Sequence, residues 1–288
     1  MLTIHPKDTV TSTLHSYLLS AVAPRPIALA STVDKKGRPN LSPFSFFNVF
    51  SANPPILIFS PARRVRDNTT KHTLENAMEI KEVVINVVTH DIVQQTSLAS
   101  TEYGKGVNEF EKAGFTMIES EKVKPFRVKE SPVQFECKIL EIKEMGHEGG
   151  AGNLIICEVV CMHVEEKVLD EEGKIDQVKL DLVARAGGSF YSRARESFFE
   201  IPKPLQNKGI GIDALPENIR NSDILSGNDL GQLGNVEHLP EESDVNKFLQ
   251  DNPQFMTPEI NEKHKFAQDF LARNDVDSAL KILLGKSK

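Results

Sequence analysis

The chain has 288 residues, 39% hydrophobic and 26% charged, with a formal net charge of −7 and a pI near 5.7. That length allows one large domain or two small ones with a sizeable core, and the acidity argues against a nucleic-acid footprint. No apolar run approaches the roughly 18–20 residues a membrane-spanning helix needs, and three cysteines are too few, and odd in number, for a disulfide framework. Residues 14–23 end in Ala-Val-Ala. They lack a basic leader and are interrupted by Ser16 and Ser20, so no secretion signal is read there and the cytoplasm is the expected compartment.

Thr11-Ser12 offers an N-cap for a short helix over 13–21. Residues 27–33 form an apolar run of small and β-branched side chains, a buried strand, turned by Asp34-Lys35-Lys36-Gly37. A second strand over 42–50 carries Phe44, Phe46, Phe47 and Phe50 among Ser45 and Asn48. Pro54 and Pro55 end it, and a third strand covers 56–60. Prolines in strands belong at ends, bulges and sheet edges. Pro24, Pro26, Pro39 and Pro43 therefore mark backbone groups left free to face something other than a neighbouring strand.

A polar, basic loop over 62–73 leads into a short helix near Thr73, followed by a β-branched strand over 83–89 and a helix over 91–99. Residues 100–114 read as glycine turns and a short acidic helix; Glu109, Glu111 and Lys105 fit a solvated helix, the alternative being a stretch that covers a bound ligand. Two long strands, 132–145 and 153–168, flank the glycine-rich connection 146–152. Gln134, Glu136 and Lys138 alternate with Phe135, Cys137 and Ile139, which predicts one wet face and one dry face. After a turn at 170–173 a shorter strand runs to Val183. Ile-Pro-Lys-Pro at 201–204 marks a boundary between a domain over 1–204 and an extension over 205–288, loop over 205–240 and helical over 244–284.

Arg63, Arg64, Arg66 and Lys71, with Thr69, Thr70 and Thr73, lie just before a helix start. Free amides, the helix dipole and arginine geometry there favour a phosphate; a solvated charge run is the plainer alternative. Ser31, Thr32, Ser45 and Asn48 suit the polar edge of a flat heterocycle. Phe46 and Phe47 face opposite ways on a strand, so one at most covers a ring. Arg185, Gly187, Gly188 and Tyr191 follow the last strand, and His147 lies in a loop unlike a Rossmann turn. Cys157, Cys161 and His163 share one strand face by even spacing. Buried small residues account for that pattern, and no metal is expected.

Several motifs carry a resemblance: Arg25-Pro26-Ile27-Ala28, Ser31-Thr32, Asn40-Leu41-Ser42-Pro43-Phe44-Ser45-Phe46-Phe47, Asn53-Pro54-Pro55, Lys71-His72-Thr73, Pro132-Val133-Gln134-Phe135-Glu136-Cys137 and Leu182-Val183-Ala184-Arg185-Ala186-Gly187-Gly188. In order and spacing they resemble the flavin reductase-like family of FMN-binding split barrels, related to flavoredoxin, over residues 10–200. The resemblance implies a mainly β, Greek-key split β-barrel of six strands with flanking helices, and a homodimer with FMN at the subunit interface. It implies that Lys71 and Thr73 lie by the FMN phosphate; Arg63 and Thr70 are further candidates there, and which of the arginines at 63–66 takes part stays open. Arg25, Ser31, Thr32, Ser45, Asn48 and one of Phe46 and Phe47 would then meet the ring. His147, Arg185 and Tyr191 are the candidates for the nicotinamide side. Many relatives carry Gly-Asp-His near the start of the second long strand, where this chain reads Gly152-Asn153-Leu154.

Two functions follow from the resemblance. One is a reductase that takes hydride from NADH or NADPH and passes electrons to an acceptor or a partner oxygenase. The other is an FMN-binding electron carrier with no nicotinamide site of its own. A barrel that binds oligonucleotides is disfavoured by the acidity and by the lack of interleaved basic and aromatic residues. Neither a nucleic acid nor a membrane is expected as a partner.

Overall fold

Helix α1 (Thr11–Ala21) and the two-residue strand β1 (Arg25–Pro26) lead into β2 (Ala28–Val33). Every residue of β2 is buried, as the small and β-branched composition predicts for a strand covered on both faces. The computed structural model describes residues 1–202 and 208–286. They fall into two units, Met1–Phe199 and Glu200–Lys288. The boundary expected at 201–204 falls partly on residues 203–207, outside the described residues.

The phenylalanine-rich run expected as one strand is two, β3 (Pro39–Phe44) and β4 (Phe47–Ala52), followed by β5 (Pro55–Phe59). Helix α2 (His72–Ile80), β6 (Glu82–Val87), α3 (Val93–Leu98) and α4 (Glu109–Ala113) come next. Short strands β7 (Met117–Ile118) and β8 (Arg127–Val128) precede the long pair β9 (Val133–Glu144) and β10 (Asn153–Val164). The main sheet has the order β3-β2-β6-β9-β10-β5-β4, and its pairings are antiparallel. It has seven strands where six were expected, because the chain bends at Ser45-Phe46. Its two edge strands, β3 and β4, are joined by only those two residues. A link that short holds two strand ends within several ångströms, so the sheet must curl on itself without closing, which is a split barrel.

One core fills the curl, with Ala28, Ala30, Phe59, Ile85, Cys137 and Ile155 meeting Leu74 and Ala77 of α2. A second lies on the opposite face of β2, where Leu29 and Leu41 pack with Val88, Ile92 and Phe110. The wet face expected on β9 is dry at its start: Gln134 is 4% exposed and Glu136 0%. Glu136 is buried because the backbone N–H groups of Glu121 and Lys122 donate to its carboxylate at 2.8 and 2.6 Å, and His163 Nε2 lies 2.7 Å from Oε1. The strand expected to run to Val183 begins instead with a helical turn, α5 (Gln177–Leu180), which Asp176 caps by accepting from the N–H groups of Val178 and Lys179. Strands β11 (Val183–Arg185) and β12 (Tyr191–Arg193) pair with each other, and β11 also pairs with β1.

The second unit has a core of its own. Residues 208–240, expected as loop, hold the short helices α6 (Glu217–Arg220) and α7 (Gly227–Leu233). A capping box of Ser226 and Asp229 starts α7. Leu215, Ile219, Leu225 and Leu233 from this segment pack with Leu271, Ala279 and Leu280. They meet there the helices α9 (Ile260–Leu271) and α10 (Val276–Leu284), and α8 (Glu242–Asp251) precedes these two. The helical reading of 244–284 thus matches three helices. No helix among the described residues is long and apolar enough to cross a membrane.

Candidate functional site

Helix α2 starts directly from the basic loop. Its N-cap, Lys71, is extended (φ −85°), and no side chain caps the first turn. The first-turn N–H groups of a helix have no intrahelical partner, and the dipole makes that end positive. The loop is braced from within. Arg63 donates from Nε to Asn68 Oδ1 at 2.7 Å and from Nη2 to Asn68 O at 2.9 Å, across a residue with φ 56°. Arg64 Nη1 donates to Thr69 Oγ1 at 2.7 Å and Thr70 O at 2.8 Å, while its Nε reaches Glu102 Oε1 at 2.8 Å. Thr70 turns its hydroxyl to Glu75, 3.0 Å away. Arg63 and Thr70, expected at the phosphate, are therefore engaged in shaping the loop. Arg64 lines the cleft with Lys71, His72, Thr73 and Ser100.

Behind the helix start, Thr73 Oγ1 donates to Asn40 Oδ1 at 2.8 Å and Asn76 Nδ2 to Thr32 Oγ1 at 3.2 Å. Thr32, 0% exposed, thus ties α2 to β2 and β3 from beneath. Burial, and then the neighbouring Arg64, hold the Lys71 ammonium below the usual lysine range, with Glu102 offsetting part of this. The Glu102 carboxyl is pulled down to about 2 by its hydrogen bonds from Arg64 and Arg66.

Ser100 also lines a second cavity of about 240 Å³, walled by Ile27, Pro43, Ser45, Thr96, Arg185 and Tyr191. Ser97 and Tyr191 are shared with a third, of about 310 Å³, so the three cavities follow one another from the α2 terminus towards β12, with Ser100, Ser97 and Tyr191 as common walls. Thr96 is 2% exposed, and its Oγ1 has no hydrogen-bond partner. One wall is the free edge of β3. Successive outward N–H positions on an edge strand are two residues apart. Here Pro39 and Pro43 have no N–H, and the Leu41 N–H between them donates to Glu109 Oε2 at 3.1 Å. The prolines do mark an edge, as expected, and it offers carbonyl acceptors. Arg185 and Tyr191 are opposite one another in the β11–β12 register, with the guanidinium 4.6 Å from the ring centroid.

Other candidates lie elsewhere. Arg25 donates to the carbonyls of Leu19 (2.6 Å), Val22 and Ala186, capping the negative C-terminal end of α1. Ser31 is fully buried in β2. Phe47 joins the barrel core, whereas Phe46 is exposed with its ring edge-on to His15, centroids 6.4 Å apart. Asn48 is exposed on β4 and accepts from the Val49 N–H. His147 is exposed, and its carbonyl accepts from Asn68 Nδ2 at 2.9 Å; it lines neither cavity that holds Arg185 and Tyr191. Asn153 is fully buried, donating from its backbone to Ser60 Oγ and from Nδ2 to Pro61 O.

A β-bulge between Val159 and Cys161 breaks the even spacing of the cysteines. Cys157 stays in the core, while Cys161 and His163 meet Glu136, their ligand atoms within 4.8 Å of one another. Both Glu136 oxygens already accept backbone N–H groups. Glu109 is 4% exposed, not solvated as expected. Arg64, Thr96, Ser100 and Glu102 were not singled out individually from sequence. Arg64 was one of the three arginines of the basic loop read as a phosphate site; nothing in the sequence pointed to Thr96, Ser100 or Glu102.

The flavin reductase like domain family matches residues 20–182. An uncharacterized protein of Aquifex aeolicus is 38% identical over 188 residues, 65% of this chain and 93% of that one. The crystal structure of nitrilotriacetate monooxygenase component B from Bacillus cereus is 30% identical with a TM-score of 0.65, covering 69% of this chain and 98% of that one. A split-barrel protein from Shewanella frigidimarina is 26% identical with a TM-score of 0.60, covering 70% of this chain and all of that one (100%). The curled sheet with joined edges agrees with these matches, the last of which is described as having a split barrel domain. On both grounds the chain belongs to the flavin reductase-like family and has a flavin-related redox function.

Proposed function

We propose that this cleft binds FMN and that the protein is an NAD(P)H:flavin oxidoreductase. The carrying observation is the adjacency, at Ser100, of the cationic corner at α2 to a cavity lined by the hydroxyl-bearing Ser45, Thr96 and Ser100. Arg64, Lys71 and the first-turn N–H groups of α2 would hold the phosphate. The β3 carbonyls, Ser45 and Thr96 suit the polar edge of the ring, with Ile27 and Pro43 as apolar cover. When bound, FMN supplies the hydride-accepting N5 and the means to pass electrons onward. Arg185 and Tyr191 offer a cation and an aromatic face where NADH or NADPH would enter.

The similarity to a monooxygenase component supports a partner oxygenase as electron acceptor. A homodimer is supported by the exposed Val49 and Phe50 of β4, 64% and 63% accessible on an edge strand. Free cysteines fit a reducing compartment such as the cytoplasm. The burial of Asn153 favours a second reading, an FMN-binding electron carrier without a nicotinamide site.

The test begins with flavin uptake by the purified protein. Replacing Lys71 with Ala should weaken FMN about ten- to a hundredfold, the range for losing one charge-assisted hydrogen bond, and leave riboflavin unaffected. Unchanged FMN affinity would overturn the phosphate assignment. Anaerobic bleaching by NADH or NADPH at catalytic rates separates reductase from carrier.

A further inference from the structure

The cationic corner already holds an anion. Glu102 Oε1 lies 2.8 Å from Arg64 Nε and 3.6 Å from Lys71 Nζ, and Oε2 lies 2.8 Å from Arg66 Nη2. Arg64 and Lys71 are the two cations facing the cleft, so the carboxylate engages the donors a phosphate group would need. The cleft these residues line has about 20 Å³ of interior space, on the scale of a single water molecule, so the carboxylate stands where an incoming phosphate would have to go.

Glu102 belongs to no helix or strand; it sits in the connection between α3 and α4. Its side chain is 41% exposed. Rotation about its own side-chain bonds would free Arg64 Nε and Lys71 Nζ, while Arg64 Nη1 stays on Thr69 and Thr70.

We infer that Glu102 is an internal competitor for the anion site, a carboxylate that must leave Arg64 and Lys71 before a phosphate-bearing flavin can seat. This rests on the reading that the FMN phosphate binds at α2. Glu102 then sets how tightly FMN is held and how far it is preferred over riboflavin, which has no phosphate to displace the carboxylate. A flavin held against a resident competitor exchanges more readily, as suits a protein that hands reduced flavin to a partner.

The experiment compares FMN and riboflavin dissociation constants, from flavin fluorescence quenching at fixed ionic strength, for the wild-type protein, Glu102→Gln and Glu102→Ala. The exposed position of Glu102 leaves both cores intact in these variants. The expected result is FMN binding about fivefold tighter in both variants, the scale of one or two partly exposed ion pairs, with riboflavin unchanged. If the wild type binds FMN and neither variant binds it more tightly, the competition is overturned. Weaker binding would instead make Glu102 a brace for Arg64 and Lys71. If the wild type takes up no FMN, the site assignment itself is lost and the inference goes with it.

Discussion

Glu136 shows how a single residue changes meaning on folding. In the sequence it is one polar letter in an alternating strand; in the structure it is fully buried and accepts from two backbone N–H groups beside His163. Burial pushes its carboxyl up, but the N–H groups of Glu121 and Lys122 with His163 outweigh that and hold it below the usual glutamate range. A depressed folded value means the unfolded chain binds the proton more readily. The stabilisation is therefore complete above the ordinary glutamate value, about 4.3, and is lost as pH falls through the folded value. Glu136→Gln should cost about 1–3 kcal/mol at neutral pH, and the gap to wild type should narrow as the medium is acidified. Urea unfolding at a series of pH values checks this, and a gap independent of pH would refute it. The choice between Arg63 and Arg64 was likewise invisible in sequence, because both guanidiniums fold back onto the loop and only the tertiary packing decides that Arg64 is the one lining the cleft.

At the scale of elements, β3 is the strand on which the cleft depends. Sheet edges with unpaired N–H groups invite pairing with other chains. Two prolines and the Leu41–Glu109 hydrogen bond remove this hazard here. Glu109 is delivered by α4, whose N-cap Asn108 accepts from the Phe110 N–H. Glu109→Ala should leave a buried N–H unsatisfied and cost about 1–3 kcal/mol, with Glu109→Gln recovering most of it. Denaturant midpoints for the two variants test the pair, and equal loss in both would mean that packing, not this hydrogen bond, is what Glu109 supplies. The prolines made an edge legible from sequence. The partner that silences the remaining N–H, 68 residues away, was not.

For the whole molecule, the exposed apolar face of β4 carries the dimer proposal. Phe50→Glu places a charge where a second subunit would bury an aromatic ring, and a desolvated, unpaired charge is strongly unfavourable. Light scattering should show the wild type as a dimer and the variant shifted toward monomer, with FMN affinity falling in parallel. A variant that stays dimeric would move the interface elsewhere.

The sequence by itself determined where most of the long strands lie, the turn chemistry of the prolines and glycines, the helix start after the basic loop, and the family. These are local properties: side-chain periodicity, backbone permissiveness and motif order survive without knowledge of what lies across the sheet. Only tertiary structure decided that the phenylalanine run is two edge strands and that 208–240 helps build a helical core. It alone brought Ser100 and Glu102 into a cleft with Lys71, and Thr96 and Arg185 into the cavity that shares Ser100 with it. Those outcomes depend on contacts between residues far apart in the chain, where burial and hydrogen-bond satisfaction are settled by whichever distant partner arrives.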